Sequence, residues 1–198
     1  MIYLLYFLYV LSCLLLVAFF VFDIYLILEI VEYICCVRIM KQPPMVASAS
    51  ILREKVVQQI NTYYPNAKNI CDFGSGFGGL ARFIAKNTKA HVYGLENMPF
   101  SVVVSKFADF IYHTNNKTIW CDAFNYMDKT KQKFDIVVAY LGPHTVPKLL
   151  KYKNKTRVLI SLDFKLENIK PTRTIKVGYG YTKYGGKRYP NTLYIYEF

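Results

Sequence analysis

The chain has 198 residues, of which 54% are hydrophobic, and its 25 Lys and Arg against 13 Asp and Glu give a formal net charge of +12. This length holds one ordinary domain and an appendage but not two full domains, and the apolar share is above that of a typical soluble protein. No block of five like charges forms a nucleic-acid-binding tail. The five cysteines (Cys13, Cys35, Cys36, Cys71 and Cys121) show no C-x-x-C spacing, so they read as reduced, small apolar residues, and no metal site is expected.

The apolar excess is concentrated at the start. Residues Met1 to Phe22 carry no charge and Asp23 is the first interruption; since about 20 apolar residues suffice to cross a hydrocarbon core, a transmembrane helix is expected over about residues 2–22. A secretory signal fits less well. No Lys or Arg precedes the run, and the Ala47-Ser48-Ala49 triplet that resembles a cleavage site lies beyond Arg38 and Lys41. Ile24 to Val37 stays apolar with Glu29 and Glu32 three apart on one helical face, which suggests that the helix emerges and runs on. Arg38 and Lys41 are the first basic residues after this single span, so the rest of the chain is expected on the cytoplasmic side, or in the matrix of a mitochondrion. The pair Cys35-Cys36 is placed as juxtamembrane palmitoylated cysteines are. Beyond residue 40 the chain holds 24 basic and 10 acidic side chains. Nucleic acid, a Lys- and Asn-rich codon bias, and an anionic leaflet where each nearby Lys contributes about 1 kcal/mol all account for that balance.

Pro43-Pro44 ends any helix, and Ser48 or Ser50 can cap a new one from about Ile51 to Asn61. An anchor (1–40), a linker with a docking helix (41–66) and a folded domain (67–198) follow from this division. In the domain, Lys68–Phe73 reads as a strand, Leu80–Asn87 as a helix and His91–Leu95 as a second strand. Met98–Tyr112 is helical by the spacing of Val103, Phe107, Phe110 and Ile111, and Thr118–Cys121 is a third strand. Phe134–Tyr140 is a continuous, β-branched apolar run suited to a central parallel strand buried on both faces. Val146–Tyr152 reads as a helix and Arg157–Leu162 as a strand. The alternation predicts an α/β fold of right-handed βαβ units with a mostly parallel sheet. Thr172–Val177 and Leu193–Phe198 then form a C-terminal antiparallel hairpin around a Gly- and Tyr-rich loop, Gly178–Pro190.

Gly74, Gly76 and Gly79 follow a strand and open a helix, where backbone without Cβ lets a ligand approach and a helix N-terminus favours oxygen-rich groups. Ser75 lies inside that turn. Glu96, at the end of the second strand with Asn97 next to it, is placed to accept hydrogen bonds from both hydroxyls of a ribose. Strand, turn, helix, strand and acid in this order predict a nucleotide or nucleoside site. The chain after Glu96 leaves little room for the second half of a dinucleotide fold. Asp72 puts an acid where a cationic amino group would be welcome, and Asp122 can accept from an adenine amino group or cap the segment after it.

These residues resemble class I S-adenosyl-L-methionine-dependent methyltransferases: Asp-x-Gly-x-Gly, an acid after each of strands two and three, and the closing hairpin. More narrowly, the chain is similar to the membrane-anchored lysine methyltransferases that in mitochondria modify the ADP/ATP carrier or the ATP synthase c-subunit, and to their bacterial relatives. Pro44-Met45-Val46-Ala47-Ser48, Asp72–Gly76, Gly94–Pro99, Phe134–Pro143 and Lys170–Thr174 carry this likeness, along with the anchor. The chain departs from the family's Gly-Ser-Gly-Asp-Gly-Arg at Phe77 and Gly79.

The resemblance implies a Rossmann-like fold, S-adenosyl-L-methionine as methyl donor, the Pro44–Ser48 segment as a lid, and a lysine of a membrane protein as acceptor. The cofactor-binding residues would be Asp72, Gly74, Ser75, Gly76, Glu96, Asn97, Asp122 and Tyr140. Such an acceptor must lose its proton, which desolvation beside aromatic side chains encourages. Tyr140 and His144, flanking Gly142-Pro143 after the fourth strand, are the catalytic candidates, the first for positioning and the second as proton acceptor. The expected partners are the lipid bilayer and a membrane-protein substrate. Nucleic acid is not expected, because no Asn/Asp-Pro-Pro-Tyr/Phe-type motif follows strand four. A small-molecule or nucleic-acid methyltransferase remains the alternative, as does an anchored module that binds the cofactor without catalysis.

Overall fold

The computed structural model describes residues 2–34, 48–181 and 188–198. The chain divides into two compact units, Met1–Pro44 and Met45–Phe198. In the first, α1 (Ile2–Ile34) is one unbroken helix of 33 residues. Its segment Tyr6–Ile27 has a mean hydropathy of 2.6 and none of it is buried. A core helix of a soluble domain would be covered by neighbours, whereas this helix is long and apolar enough to cross a membrane. Cys35, Cys36, Arg38, Lys41 and Pro43–Ala47, which carry the expectations about palmitoylation, orientation and the lid, lie outside the described residues, as do residues 182–187 of the predicted loop.

The second unit begins with α2 (Ser50–Tyr63) and continues as β1 (Asn69–Phe73), α3 (Gly79–Asn87), β2 (His91–Glu96), α4 (Pro99–Ile111), β3 (Asn116–Trp120) and α5 (Ala123–Lys129). After these come β4 (Phe134–Ala139), a 3-10 segment (Val146–Tyr152), β5 (Thr156–Leu162), β6 (Arg173–Tyr181) and β7 (Arg188–Glu197). The seven strands run in the order β3-β2-β1-β4-β5-β7-β6. β1 to β5 pair in parallel, and β7 is antiparallel to both neighbours, β5 and β6. The chain thus reverses direction across the sheet between β1 and β4, the place where open α/β sheets bind ligands beyond the carboxyl ends of the strands.

Alternation along each strand sends successive residues to opposite faces, which builds two cores. Ile70, Ile136, Val138 and Ile160 meet Leu52, Val56 and Ile60 of α2 and Leu80 and Ile84 of α3. Phe73, Phe134, Val137, Leu159 and Tyr196 meet Met127 of α5 and Leu149 and Tyr152 of the 3-10 segment. The end of α2 is held to the hairpin by Arg173, whose guanidinium lies 3.9 Å from the Tyr63 ring centre and 3.0 Å from the Glu197 carboxylate.

Three local expectations change. The hairpin strands extend well into the segment that reads as a loop. Val146–Tyr152 is 3-10 rather than α, with Pro147 in its first turn. The residue before α2 is Ala49, with no side-chain cap; Ser48 instead binds Arg53, whose Nε donates to its carbonyl at 2.9 Å and its hydroxyl at 3.0 Å.

Candidate active site

After β1 the chain passes through left-handed conformations at Gly74 (φ 79°), Gly76 (φ 54°) and Gly78 (φ 71°), which a side chain would strain. The turn folds back on β2, since the Gly74 and Ser75 amides both donate to the Leu95 carbonyl at 3.0 Å. A Cβ on Gly78 would stand 2.1 Å from Ser105 Oγ, and one on Gly94 would stand 2.8 Å from Ser75 Oγ, so both positions exclude side chains. Gly79, the third glycine of the expected pattern, has another use. Its missing Cβ leaves room for the Arg53 guanidinium, which lies 3.3 Å from where that atom would be.

Glu96 is buried at the end of β2. Its Oε2 accepts from the Gly76 amide at 2.7 Å, and its Oε1 accepts from the Asn97 and Met98 amides at 2.9 Å. A carboxylate offers about four acceptor positions, so the backbone orients this one and leaves Oε2 with room for one further donor rather than two. Asn97 also supplies the carbonyl that accepts from Trp120 Nε1 at 3.0 Å.

Asp72 is 3% exposed, and among the described residues its Oδ2 has no hydrogen-bond partner. Burial, then the nearby Glu96 charge, push its pKa up to about 7, against the opposing pull of the Ala81 amide and Arg53. Among the described residues Ser75 Oγ, buried in the same turn, likewise has no hydrogen-bond partner. Two orphaned acceptors in a cradle of glycines suit a polar ligand whose cationic group can meet Asp72.

Asp122 caps α5, its Oδ1 accepting from the Asn125 amide at 2.8 Å. It borders a shallow groove of about 390 Å³ lined with Cys121, Asn125, Tyr126, Lys129 and Thr130. Tyr140 follows β4 and is half-buried. Burial, the Asp163 charge and a hydrogen bond to that carboxylate hold its hydroxyl protonated well above the usual range. His144 is exposed two residues past Gly142, whose carbonyl receives the Thr145 and Val146 amides. Gly76, Glu96 and Asn97 are therefore joined by direct hydrogen bonds at the turn, with Ser75 tied by its amide to Leu95 and Asp72 close enough to feel the Glu96 charge, while Asp122 and His144 stand on separate loops. Phe77 packs edge-on against Phe100 with ring centres 6.2 Å apart. Arg53 was not legible from spacing, since it reaches the turn from α2 and is betrayed only by the absent side chain at Gly79.

No family model matches the sequence, and no curated protein matches it. Solved structures do. An RNA methyltransferase from Salinibacter ruber, crystallised with S-adenosyl-L-homocysteine, aligns with a TM-score of 0.61 at 18% identity over 77% of this chain and 93% of its own. M. capricolum TrmK, also with S-adenosyl-homocysteine, gives 0.57 at 15% identity over 76% of this chain and 69% of its own. Precorrin-6y C5,15-methyltransferase from Geobacter metallireducens gives 0.57 at 10% identity over 78% and 90%. At these identities the likeness establishes the architecture: this chain has a Rossmann-like α/β methyltransferase fold, with an apolar helix ahead of it.

Proposed function

We propose that the protein binds S-adenosyl-L-methionine and methylates a lysine of a membrane-associated protein. The observation that carries the cofactor half is the orphaned Asp72 Oδ2, buried in the glycine cradle across from Glu96. When bound, the cofactor supplies a sulfonium-activated methyl group. Asp72 would hold its ammonium and the spare position on Glu96 Oε2 would take a ribose hydroxyl. Arg53 would take its carboxylate, because Nη1 and Nη2 make no hydrogen bond among the described residues while Nε is fixed on Ser48. The Asp122 oxygen not used in capping would accept from the adenine amine.

Tyr140, steadied through its hydroxyl by Asp163, presents its ring to the incoming amine, and the exposed His144 receives the proton that the lysine must shed. The amine so freed would be the acceptor for the methyl group that the bound cofactor would supply. The main contribution of the protein is alignment of the two reactants. The lysine half is supported by the exposed apolar helix, which would confine the enzyme to acceptors at a bilayer. A basic domain gains nothing from steering toward a cationic side chain, so tethering brings the pair together.

Calorimetry of the full chain with S-adenosyl-L-homocysteine should give saturable heat, and mass spectrometry of membranes with and without the gene should show one lysine peptide that loses methyl groups. No heat leaves a role without this cofactor. Heat with no altered lysine shifts the acceptor to RNA or a small molecule, as in the names of the structural neighbours.

A further inference from the structure

Helix α4 is packed with its apolar side outward. The buried residues of α4 are two serines and one valine: Ser101 and Ser105 are fully buried, Val102 nearly so, and Ser105 Oγ lies 2.9 Å from Thr118 Oγ1 of β3. Val103, Phe107 and Phe110, spaced four and three apart and so on one side of the helix, are 64%, 65% and 75% exposed, with Ile111 and Tyr112 exposed beside them. Trp120 stands on the same face of β3 as Thr118, two residues away, and is 64% exposed. Exposed apolar residues scattered singly need no explanation, but a group of four large aromatics and two aliphatics on one helix and the strand beside it does.

The exposed charged side chains on α4 or reaching it are lysines. Lys106 is exposed on the helix, and Lys86 reaches from α3 to lie 4.6 Å from the Tyr112 ring centre. Asp109, the one carboxylate of α4, is turned inward, where it pairs with Arg82 at 3.1 Å and accepts from Asn116 and Thr118. A helix with an aromatic and aliphatic face, lysines at its borders and no free carboxylate matches segments that lie in the headgroup layer of anionic membranes.

We propose that the outer face of α4, with Trp120, docks the domain onto the anionic surface of a bilayer. The proposal rests on the membrane-anchored reading of α1 and adds a second, separate contact. A single span leaves a domain free to swing, and a shallow docking face would hold it at fixed height, where a lysine close to the bilayer surface can reach the site.

Trp120 is the only tryptophan of the chain, so it reports on this face directly. The full chain would be reconstituted into phosphatidylcholine vesicles with and without phosphatidylglycerol, and its emission followed with acyl-brominated lipid and with aqueous acrylamide as quenchers. In the anionic vesicles the emission is expected to shift to the blue, with quenching by the brominated lipid and protection from acrylamide. A Phe107→Ser/Phe110→Ser variant, altered only at exposed positions, is expected to lose the shift and the lipid quenching. Emission quenched by acrylamide alone in both lipids overturns the proposal. So does protection from both quenchers together with cross-linked dimers, which would make the face an interface between copies. Alkaline carbonate extraction separates the two readings: a chain that washes off the vesicles removes the anchor as well, whereas one retained but unquenched by lipid removes only the docking face.

Discussion

Asp72 connects the glycine turn to a measurable titration. Its pKa in the folded chain, about 7, stands above the ordinary 3.8, because burial and Glu96 penalise the carboxylate more than the Ala81 amide and Arg53 relieve it. A raised acid favours folding most below its unfolded pKa, and that contribution is lost as pH climbs from about 4 through about 7. An ammonium group against Oδ2 reverses the preference. Binding of S-adenosyl-L-homocysteine at pH 6 should then release close to one proton and at pH 8 almost none, which calorimetry in buffers of different ionisation heat reads directly. Asp72→Asn should abolish that release and weaken binding by about 10- to 100-fold, the worth of one charge-assisted hydrogen bond. The same change should stabilise the ligand-free protein at pH 8 by up to about 4 kcal/mol, the worth of about three pKa units, seen as a higher melting temperature. Asp72, Gly74, Gly76 and Glu96 were legible because each is tied to a strand end by fixed spacing. Arg53 was not: its contact crosses from another helix and leaves only a missing side chain at Gly79 as a trace.

At the scale of elements, α4 shows why periodicity can locate a helix and still mislead about its surroundings. The spacing of Val103, Phe107, Phe110 and Ile111 marks the helix correctly, but those residues face outward, and the inward face carries, beside the buried Val102, a polar network joining Arg82, Ser105, Asp109, Asn116 and Thr118. Arg82 also donates to the Phe77 carbonyl, so the network ties α4 to the glycine turn. The Arg82 and Asp109 side chains are 15% and 12% exposed, and removing one partner of such a pair strands the other's charge. Asp109→Ala should therefore lower the unfolding free energy by about 3 kcal/mol in urea titrations, whereas Phe110→Ser should change it by less than about 0.5 kcal/mol. The opposite ranking would mean that the apolar face is the packed one. β6 and β7 depart from expectation for another reason: Gly and Tyr between Gly178 and Pro190 read as loop, yet pairing of the two strands continues through Tyr179–Pro190 and Tyr181–Arg188 because tyrosine is a good strand former once a partner strand is in place. The parallel half of the sheet was legible in outline because β1, β2, β4 and β5 are apolar runs between helical segments.

At the scale of the whole molecule, the proposed function would assign location to the first unit and chemistry to the second, and α1 is where that assignment can be tested. At about 1.5 Å per residue, 33 residues make a helix of about 50 Å, longer than the roughly 30 Å hydrocarbon core, so the helix can cross and still project beyond it. A cleaved signal sequence would pass the same test of length and composition, and the two outcomes differ in what remains. For an uncleaved anchor, the mature protein should keep residues 2–34 by intact mass and stay with the membrane through alkaline carbonate. Placing charge in mid-span should then release it into alkaline carbonate, which strips a peripheral contact such as the α4 face: each arginine at a helix centre costs about 2.5–3.5 kcal/mol on the insertion scale, so Leu15→Arg/Phe19→Arg removes about 6 kcal/mol from the insertion of the span. Both positions are exposed in α1, so the substitutions leave the Met45–Phe198 unit intact and its binding of S-adenosyl-L-homocysteine should not change. If the released variant binds the cofactor product normally yet no longer methylates its membrane acceptor in cells, the helix serves to deliver the enzyme to its substrate. If methylation persists from the soluble form, the acceptor is met in solution and the tether is dispensable.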